Sequence, residues 1–388
     1  MKKLYYSLSF ILLVQASFVF AGFNDGTFKY DNQTRKYSIY VPDIYYTQGK
    51  HVPMLVGLHG FGDDIANFKN ICMTGIADTA NYIAVYAEAL PDPILGANAW
   101  NSGASTGIVI VNNAVKDNGF INALVDTVIK RYMIDTTRMY VYGFSFGGFM
   151  TDRLAAENSD RFAAAASVSG LRGNSLTVLP HNSMPYLHFH GTADQTISYD
   201  GQHTSGILPG LGLSAEKTVK FWVTQNHCDT TPVIDSMPDI ANDGLRFVRF
   251  TYKHGLDNCN VIFYKVINGV HTWYGLPTND ISYCQTIWAF FRQYSRKATV
   301  TGVRNNTEGG HFKVYPNPSN ALTTIDFSSI KEQVLTLEIY DLSGKLSISF
   351  PVAGEKQILL DKNIPAGTYI VNLVGESGVI ATQKIIIQ

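Results

Sequence analysis

The sequence predicts an α/β body with a mostly parallel central sheet, followed by a small all-β sandwich. Three observations predict it. From about residue 25 to 295, short unbroken apolar runs alternate with amphipathic stretches at helical spacing, the pattern of strands buried on both faces by flanking helices. After Arg296 the helical period vanishes and turn signals separate short alternating runs. The 388 residues are 46% hydrophobic, with 22 Tyr and 22 Phe, which is too apolar for disorder and long enough for two or three domains.

The elements follow in order. Lys2 and Lys3 precede an apolar run from Leu8 to Phe20, and Val19-Phe20-Ala21 supplies a small-residue exit. This reads as an export leader over 1–21, cleaved before Gly22, because the run falls short of the roughly 20 residues of a membrane span. No later segment is long and apolar enough to span, so no stable membrane anchor is expected. Losing Lys2 and Lys3 takes the formal charge from −1 to −3, and neither value gives a nucleic-acid footprint. Export makes disulfides permissible for the four Cys. Strands are predicted at 36–41, 54–58, 82–86, 139–142, 163–168, 186–189 and 261–267, and helices at about 64–80, 112–131, 147–157, 213–226 and 281–294. The body is expected to span 22–297. A Thr, Gly, Asn and Glu stretch at 298–311 reads as a linker, and 312–388 as a sandwich of about seven strands.

The chemistry concentrates in the first body. Gly143-Phe144-Ser145-Phe146-Gly147 matches G-x-S-x-G. The pentad alone is weak, but a strand pattern precedes it and a helix pattern follows. A sharp strand-to-helix turn crowds the nucleophile's neighbours, and glycine two residues to either side relieves that crowding. This is the nucleophile elbow of the α/β-hydrolase fold. A serine hydroxyl needs a base, and on this fold the acid and then the base follow it in the chain. Asp194, after the strand ending His190-Gly191, fits the acid, with Asp200 as runner-up. His271, between the last strand and the last helix, fits the base better than His203, His227, His254 or His311. Backbone N–H groups of Phe146 and of Phe61, in His59-Gly60-Phe61-Gly62, are the candidate oxyanion donors. Phe61, Trp100, Phe146 and Trp273 are candidate substrate-binding rings. His188 and His190 share one strand face and could reach zinc with Asp194, but no Cys pair or H-E-x-x-H supports a metal. No G-x-G-x-x-G follows a strand, so no cofactor is expected.

These motifs, together with Trp100-Asn101, His190-Gly191-Thr192-Ala193-Asp194 and Gly269-Val270-His271-Thr272-Trp273, resemble secreted esterases of the feruloyl-esterase and polyhydroxybutyrate-depolymerase-like family, relatives of carbohydrate esterase family one. The resemblance covers about 25–295. It implies that Ser145, Asp194 and His271 are nucleophile, acid and base. Phe146 departs from the Asn or Met of many relatives, which leaves substrate choice open. The resemblance also implies a Cys228–Cys259 disulfide. Cys72 and Cys284 lie on the first and last helices, which cover the same sheet face on this fold, and their pairing stays open.

The last segment has its own resemblance. Val314-Tyr315-Pro316-Asn317-Pro318, Ile339-Tyr340-Asp341-Leu342-Ser343-Gly344-Lys345, Pro365-Ala366-Gly367-Thr368-Tyr369 and the terminal Lys384-to-Gln388 strand resemble the type IX secretion sorting domain. That implies passage through the periplasm to the cell surface or the medium, with the type IX machinery as partner. A carbohydrate-binding module competes, but the four Trp lie at 100, 222, 273 and 288, outside this segment. The expected protein is a monomeric serine esterase acting on polymeric or small esters: feruloyl or acetyl esters of plant polysaccharide, or a polyester such as polyhydroxybutyrate or PET. The competing readings are a peptidase of the same fold and a catalytically silent surface binding protein.

Overall fold

The computed structural model describes residues 21–106, 109–202, 210–296, 312–319, 322–328, 330, 336–341, 346–352, 357–360, 364–375 and 378–388. The predicted linker, and the predicted leader save Ala21, lie outside the described residues. The chain divides into two compact units, 1–298 and 299–388.

The first unit carries a ten-stranded sheet. Its strands are β1 (Gly22–Tyr30), β2 (Gln33–Val41), β3 (Val52–Leu58), β4 (Ile83–Ala87), β7 (Ile134–Phe144), β8 (Ala164–Val168), β9 (Tyr186–Gly191), β10 (Val233–Ser236), β11 (Arg246–Tyr252) and β12 (Val261–Ile267). The short strands β5 (Leu90–Pro91) and β6 (Asn98–Ala99) pair separately. The sheet order is β1-β2-β4-β3-β7-β8-β9-β12-β11-β10. The six central strands, β4 to β12, run parallel, and antiparallel pairs close both edges.

The helices are α1 (Asp43–Gln48), α2 (Ile65–Phe68), α3 (Met73–Ala80), α4 (Asp117–Arg131), α5 (Phe146–Glu157), α6 (Ala215–Gln225) and α7 (Tyr283–Phe291). Successive strand residues feed opposite cores. Met54, Val56 and Leu58 of β3 pack with residues of α4, α5 and α6. Leu55 joins Tyr140, Tyr142 and residues of α2, α3 and α7 on the other face. Burial on both faces is why these strands read as unbroken apolar runs; each fully buried Leu, Val or Ile contributes about 1.5–3 kcal/mol. This is the α/β-hydrolase arrangement, with the elbow strand β7 in the middle of the parallel block.

Several expected elements differ. The predicted 64–80 helix is two helices. Asp64 caps α2, its side chain accepting from Asn67 N, and α3 restarts at Met73. The 112–131 helix begins only at Asp117. Asn112 sits at φ +51, takes the Asp92 carboxylate on its N–H (2.7 Å) and donates its amide to Leu90 O and Ala99 O, so side-chain bonds hold 112–116 as a loop. Strand β1 was not anticipated because its faces alternate instead of forming an apolar run; Asp31 and Asn32, at φ +50 and +62, make the two-residue hairpin turn. The sequence does not predict β10, a mostly exposed edge strand, or β11 beside it, whose residues are mostly half-buried instead of forming a buried run.

The expected Cys228–Cys259 bond is corrected. Both thiols are free and buried, with Cys228 Sγ turned to the Cys259 carbonyl oxygen at 3.7 Å, not to its sulfur. The disulfide joins Cys72, the residue before α3, to Cys284 on α7, with Cα atoms 5.9 Å apart. Both helices lie on one sheet face, so the bond ties two neighbouring helices already packed together.

The second unit has a three-stranded sheet, β13 (Lys313–Tyr315), β14 (Thr323–Asp326) and β17 (Gln357–Leu360), and a four-stranded sheet, β15 (Thr336–Asp341), β16 (Leu346–Pro351), β18 (Gly367–Gly375) and β19 (Gly378–Ile387). The pairings between these described strands are antiparallel. Ile325 and Ile358 from one sheet and Leu337, Ile339, Val371, Leu373 and Ile385 from the other share one core, which makes a sandwich. Asn317 grips the last strand, donating to Lys384 O (2.8 Å) and accepting from Ile386 N (2.9 Å).

Candidate active site

At the end of β7 the chain turns into α5 through Ser145, at φ +55 and ψ −121. A non-glycine residue rarely holds a positive φ, so its surroundings must enforce it. Ser145 N donates to Val168 O (2.8 Å), and Ser145 O accepts from Gly148 N (2.8 Å) and Phe149 N (3.1 Å). The glycines of the motif are required by backbone crossings. A Cβ on residue 143 would stand 2.2 Å from Gly147 O, and one on residue 147 would stand 2.0 Å from Leu58 O. Phe146 opens α5, where its N–H has no intrahelical acceptor and the helix end carries partial positive charge.

The His59–Gly62 turn lies against this elbow. The Cβ position of Gly60 is 3.4 Å from Ser145 Cβ and 3.8 Å from its Oγ. His59 is buried. Its Nε2 accepts from Ala89 N (3.0 Å), so its Nδ1–H donates to Gly60 O (2.7 Å). Burial pushes its pKa below the ordinary histidine value, which keeps the ring neutral and structural. Trp100 Nε1 donates to His59 O (2.9 Å). Behind it, Asn101 N donates to Asp117 Oδ2 (2.7 Å), and Asp117 Oδ1 pairs with buried Arg35 (2.6 Å).

The other two predicted residues come from adjoining loops. Asp194 Oδ1 accepts from Thr196 N (2.9 Å) and Ile197 N (2.8 Å), and Oδ2 accepts from His271 Nδ1 (2.7 Å). The loops touch through backbone. Thr192 N donates to Val266 O, Ala193 N donates to Gly269 O (both 2.9 Å), and a Cβ on residue 191 would lie 2.1 Å from Gly269 O. Val270 N donates to Tyr274 Oη (2.8 Å), fixing the residue before His271. The His271 ring stands 4.8 Å from the ring of Phe144, the neighbour of Ser145. Among the described residues, no hydrogen bond joins Ser145 Oγ to His271. Asp200, the alternative acid, accepts from Ser198 Oγ and Gln202 N within its own turn. His254 is an exposed surface partner of Asp229 (2.6 Å).

The candidate rings divide. Trp100 is 0% exposed and Phe146 1% exposed, so both are corrected from substrate surface to scaffold: Trp100 holds the His59 carbonyl, and Phe146 wedges between Phe61 (5.6 Å) and Phe149 (5.5 Å). Phe61 is 37% exposed. Trp273 is half-buried among Phe68, Tyr142, Phe144 and Tyr283, at ring separations of 6.0–6.3 Å. Sequence reasoning missed the charged supports. Besides Arg35–Asp117, buried Asp152 of α5 pairs with Arg172 (2.8 Å) and accepts from Trp222 Nε1 (2.7 Å) and Tyr186 Oη (3.2 Å), joining α5 to α6 and β9. The available signal was a lone acid at helical spacing from Phe149 and Ala156, on an otherwise apolar face.

An elbow serine on a central strand of a mixed ten-stranded sheet, with a hydrogen-bonded acid–histidine pair in later loops, defines an α/β hydrolase. Comparison with known proteins agrees. Residues 111–204, spanning the elbow, match the prolyl oligopeptidase family. Residues 313–388 match the secretion system C-terminal sorting domain, which marks the chain for export to the cell surface or the medium. The chain is 29% identical across 233 residues to NocK of Nocardia uniformis subsp. tsuyamanensis, a protein named as an esterase (58% of this chain, 66% of that one). It is 31% identical across 160 residues to the bifunctional acetylxylan esterase/xylanase XynS20E of Neocallimastix patriciarum (40% and 21%). It is 23% identical across 194 residues to feruloyl esterase B of Piromyces equi (48% and 35%). The chain thus spans between about a fifth and two thirds of the length of these curated relatives.

Proposed function

We propose that the protein is an exported serine esterase that hydrolyses carboxylic esters of extracellular polymers. The observation that carries the reading is the Ser145 elbow, at a strained φ beside the hydrogen-bonded Asp194–His271 pair. In this reading His271 Nε2 takes the Ser145 proton as Oγ attacks the ester carbonyl, and Asp194 holds the imidazole by Nδ1 and stabilises its charge. The Phe146 and Phe61 N–H groups receive the oxyanion. His271 returns the proton to the leaving alcohol, and water then frees the acid from the acyl-enzyme, again with His271 as base.

Feruloyl or acetyl esters of plant polysaccharide are the favoured substrates. The acetylxylan and feruloyl esterase names of the relatives support this, as does the exposed Phe61 ring beside the oxyanion turn, which suits stacking on a planar acyl group. The type IX machinery is the proposed export partner of the tail. A peptidase is the second reading, favoured by the match of 111–204 to the prolyl oligopeptidase model. Initial rates on methyl ferulate, acetylated xylan, polyhydroxybutyrate, an aromatic polyester and a proline-containing peptide anilide, with Ser145→Ala as control, separate these readings. Hydrolysis of ferulate or acetylxylan that Ser145→Ala abolishes supports the proposal. Anilide turnover with silent esters supports the peptidase, and no turnover at all from folded protein supports a silent scaffold.

A further inference from the structure

We infer that His190 is a positioning residue for Asp194, holding the turn that aims this carboxylate at His271. The inference rests on the serine-hydrolase reading above. His190 ends the apolar strand β9 and is completely buried. Its Nε2 makes one hydrogen bond, to Ile197 O (2.8 Å). Ile197 is the residue whose own N–H holds Asp194 Oδ1. The carbonyl that His190 grips and the N–H that grips Asp194 therefore belong to one residue. The same Nε2 also lies 3.7 Å from Asp194 Oδ2, the oxygen bonded to His271. Because Ile197 O can only accept, Nε2 carries the proton and donates it to that carbonyl.

Simple filling of the space does not account for a histidine here. Nδ1 of His190 and both nitrogens of neighbouring His188 are buried without a partner among the described residues. An apolar side chain of similar volume avoids that desolvation cost, so the polar atom retained at Nε2 has a use. The ring must also stay neutral, since an imidazolium at this place competes with His271 for Asp194. Burial, acting against the Asp194 charge, pushes the His190 pKa below the ordinary value. The groups around it are His188 on its own strand (rings 5.6 Å apart), Asp194, His271 from the base loop, and Tyr199 (5.9 Å). Beyond Tyr199, Glu216 accepts from its hydroxyl (2.9 Å) and from Lys265 (3.2 Å), so that outer charge pair is already matched.

The test compares His190→Leu, which fills the space without a donor, with His190→Gln, which returns an N–H near the Nε2 position. Both are made in the full chain and read by kcat and KM on methyl ferulate, with urea unfolding as the check on folding. The Leu variant is expected to lose about tenfold or more in kcat, the scale of one hydrogen bond near a charged group, with KM within about twofold. The Gln variant recovers most of the lost kcat. If the Leu variant does not fold, His190→Asn, whose shorter amide misses Ile197 O, takes its place with the same expectation. A folded donor-less variant with unchanged kcat overturns the positioning role, as does a Gln variant that falls as far as Leu. A folded wild type that neither turns over ester nor labels at Ser145 overturns the underlying reading, and this inference with it.

Discussion

Replacing Gly147 with alanine tests the elbow by setting two ordinary effects against each other. Gly147 lies in the first turn of α5, where alanine is intrinsically favoured over glycine by up to about 1 kcal/mol. The added Cβ would stand 2.0 Å from Leu58 O, 2.5 Å from Leu58 C and 2.7 Å from His59 O. All three are backbone atoms, so no rotamer relieves them. Carbon–oxygen contact needs more than 3 Å, so the end of β3 must retreat by roughly 1 Å or more, carrying the His59–Gly62 turn off the nucleophile. Overpacking of this kind costs about 1–3 kcal/mol, and more where backbone must move, which outweighs the helix gain. Gly75 of α3 is the control: it is exposed, and its added Cβ meets nothing within 4 Å. Gly75→Ala is expected to stabilise by roughly 0.5–1 kcal/mol. Urea unfolding of both variants, with methyl ferulate turnover, should show Gly147→Ala destabilised by about 2–3 kcal/mol and inactive, and Gly75→Ala stabilised and active. The reasoning is refuted if the two shift stability in the same direction.

Two further outcomes follow from the same packing. Cys72→Ser with Cys284→Ser should lower stability by about 3 kcal/mol on urea unfolding, while Cys228→Ala should not remove any disulfide from the mass difference between reduced and oxidised protein. Burial lowers the folded-state pKa of His59, His188 and His190, so below about pH 6.5 the unfolded chain binds protons that the folded chain refuses. Stability is then retained above that pH and falls on acidification by up to about 1.4 kcal/mol per pH unit for each histidine, and His188→Phe should visibly flatten the slope of unfolding midpoint against pH.

The parallel block and the order of Ser145, Asp194 and His271 were legible because both rest on local pattern. Unbroken apolar runs report burial on two faces, and each site residue follows a strand end. Strands β1, β10 and β11 were not legible, because β1 and β10 are edge strands with wet faces and β11, next to the edge, is mostly half-buried, so none carries such a run. Sequence places Trp100 and Phe146 near the elbow but does not say which way a ring points; the structure turns both inward. The cysteine pairing failed for a related reason. Residues 228 and 259 do come close, but the thiol of one meets the carbonyl of the other, a difference of side-chain direction that no spacing encodes. Arg35–Asp117 and Asp152–Arg172 join residues 82 and 20 positions apart, so only the tertiary fold reveals them.

Ser145 is proposed as an activated nucleophile, and a fluorophosphonate probe on the full chain, followed by intact mass and peptide mapping, is the test. One adduct is expected, at Ser145, absent in Ser145→Ala and strongly slowed in His271→Ala. A folded wild-type chain with no adduct, or an adduct on any other residue that survives Ser145→Ala, would contradict it.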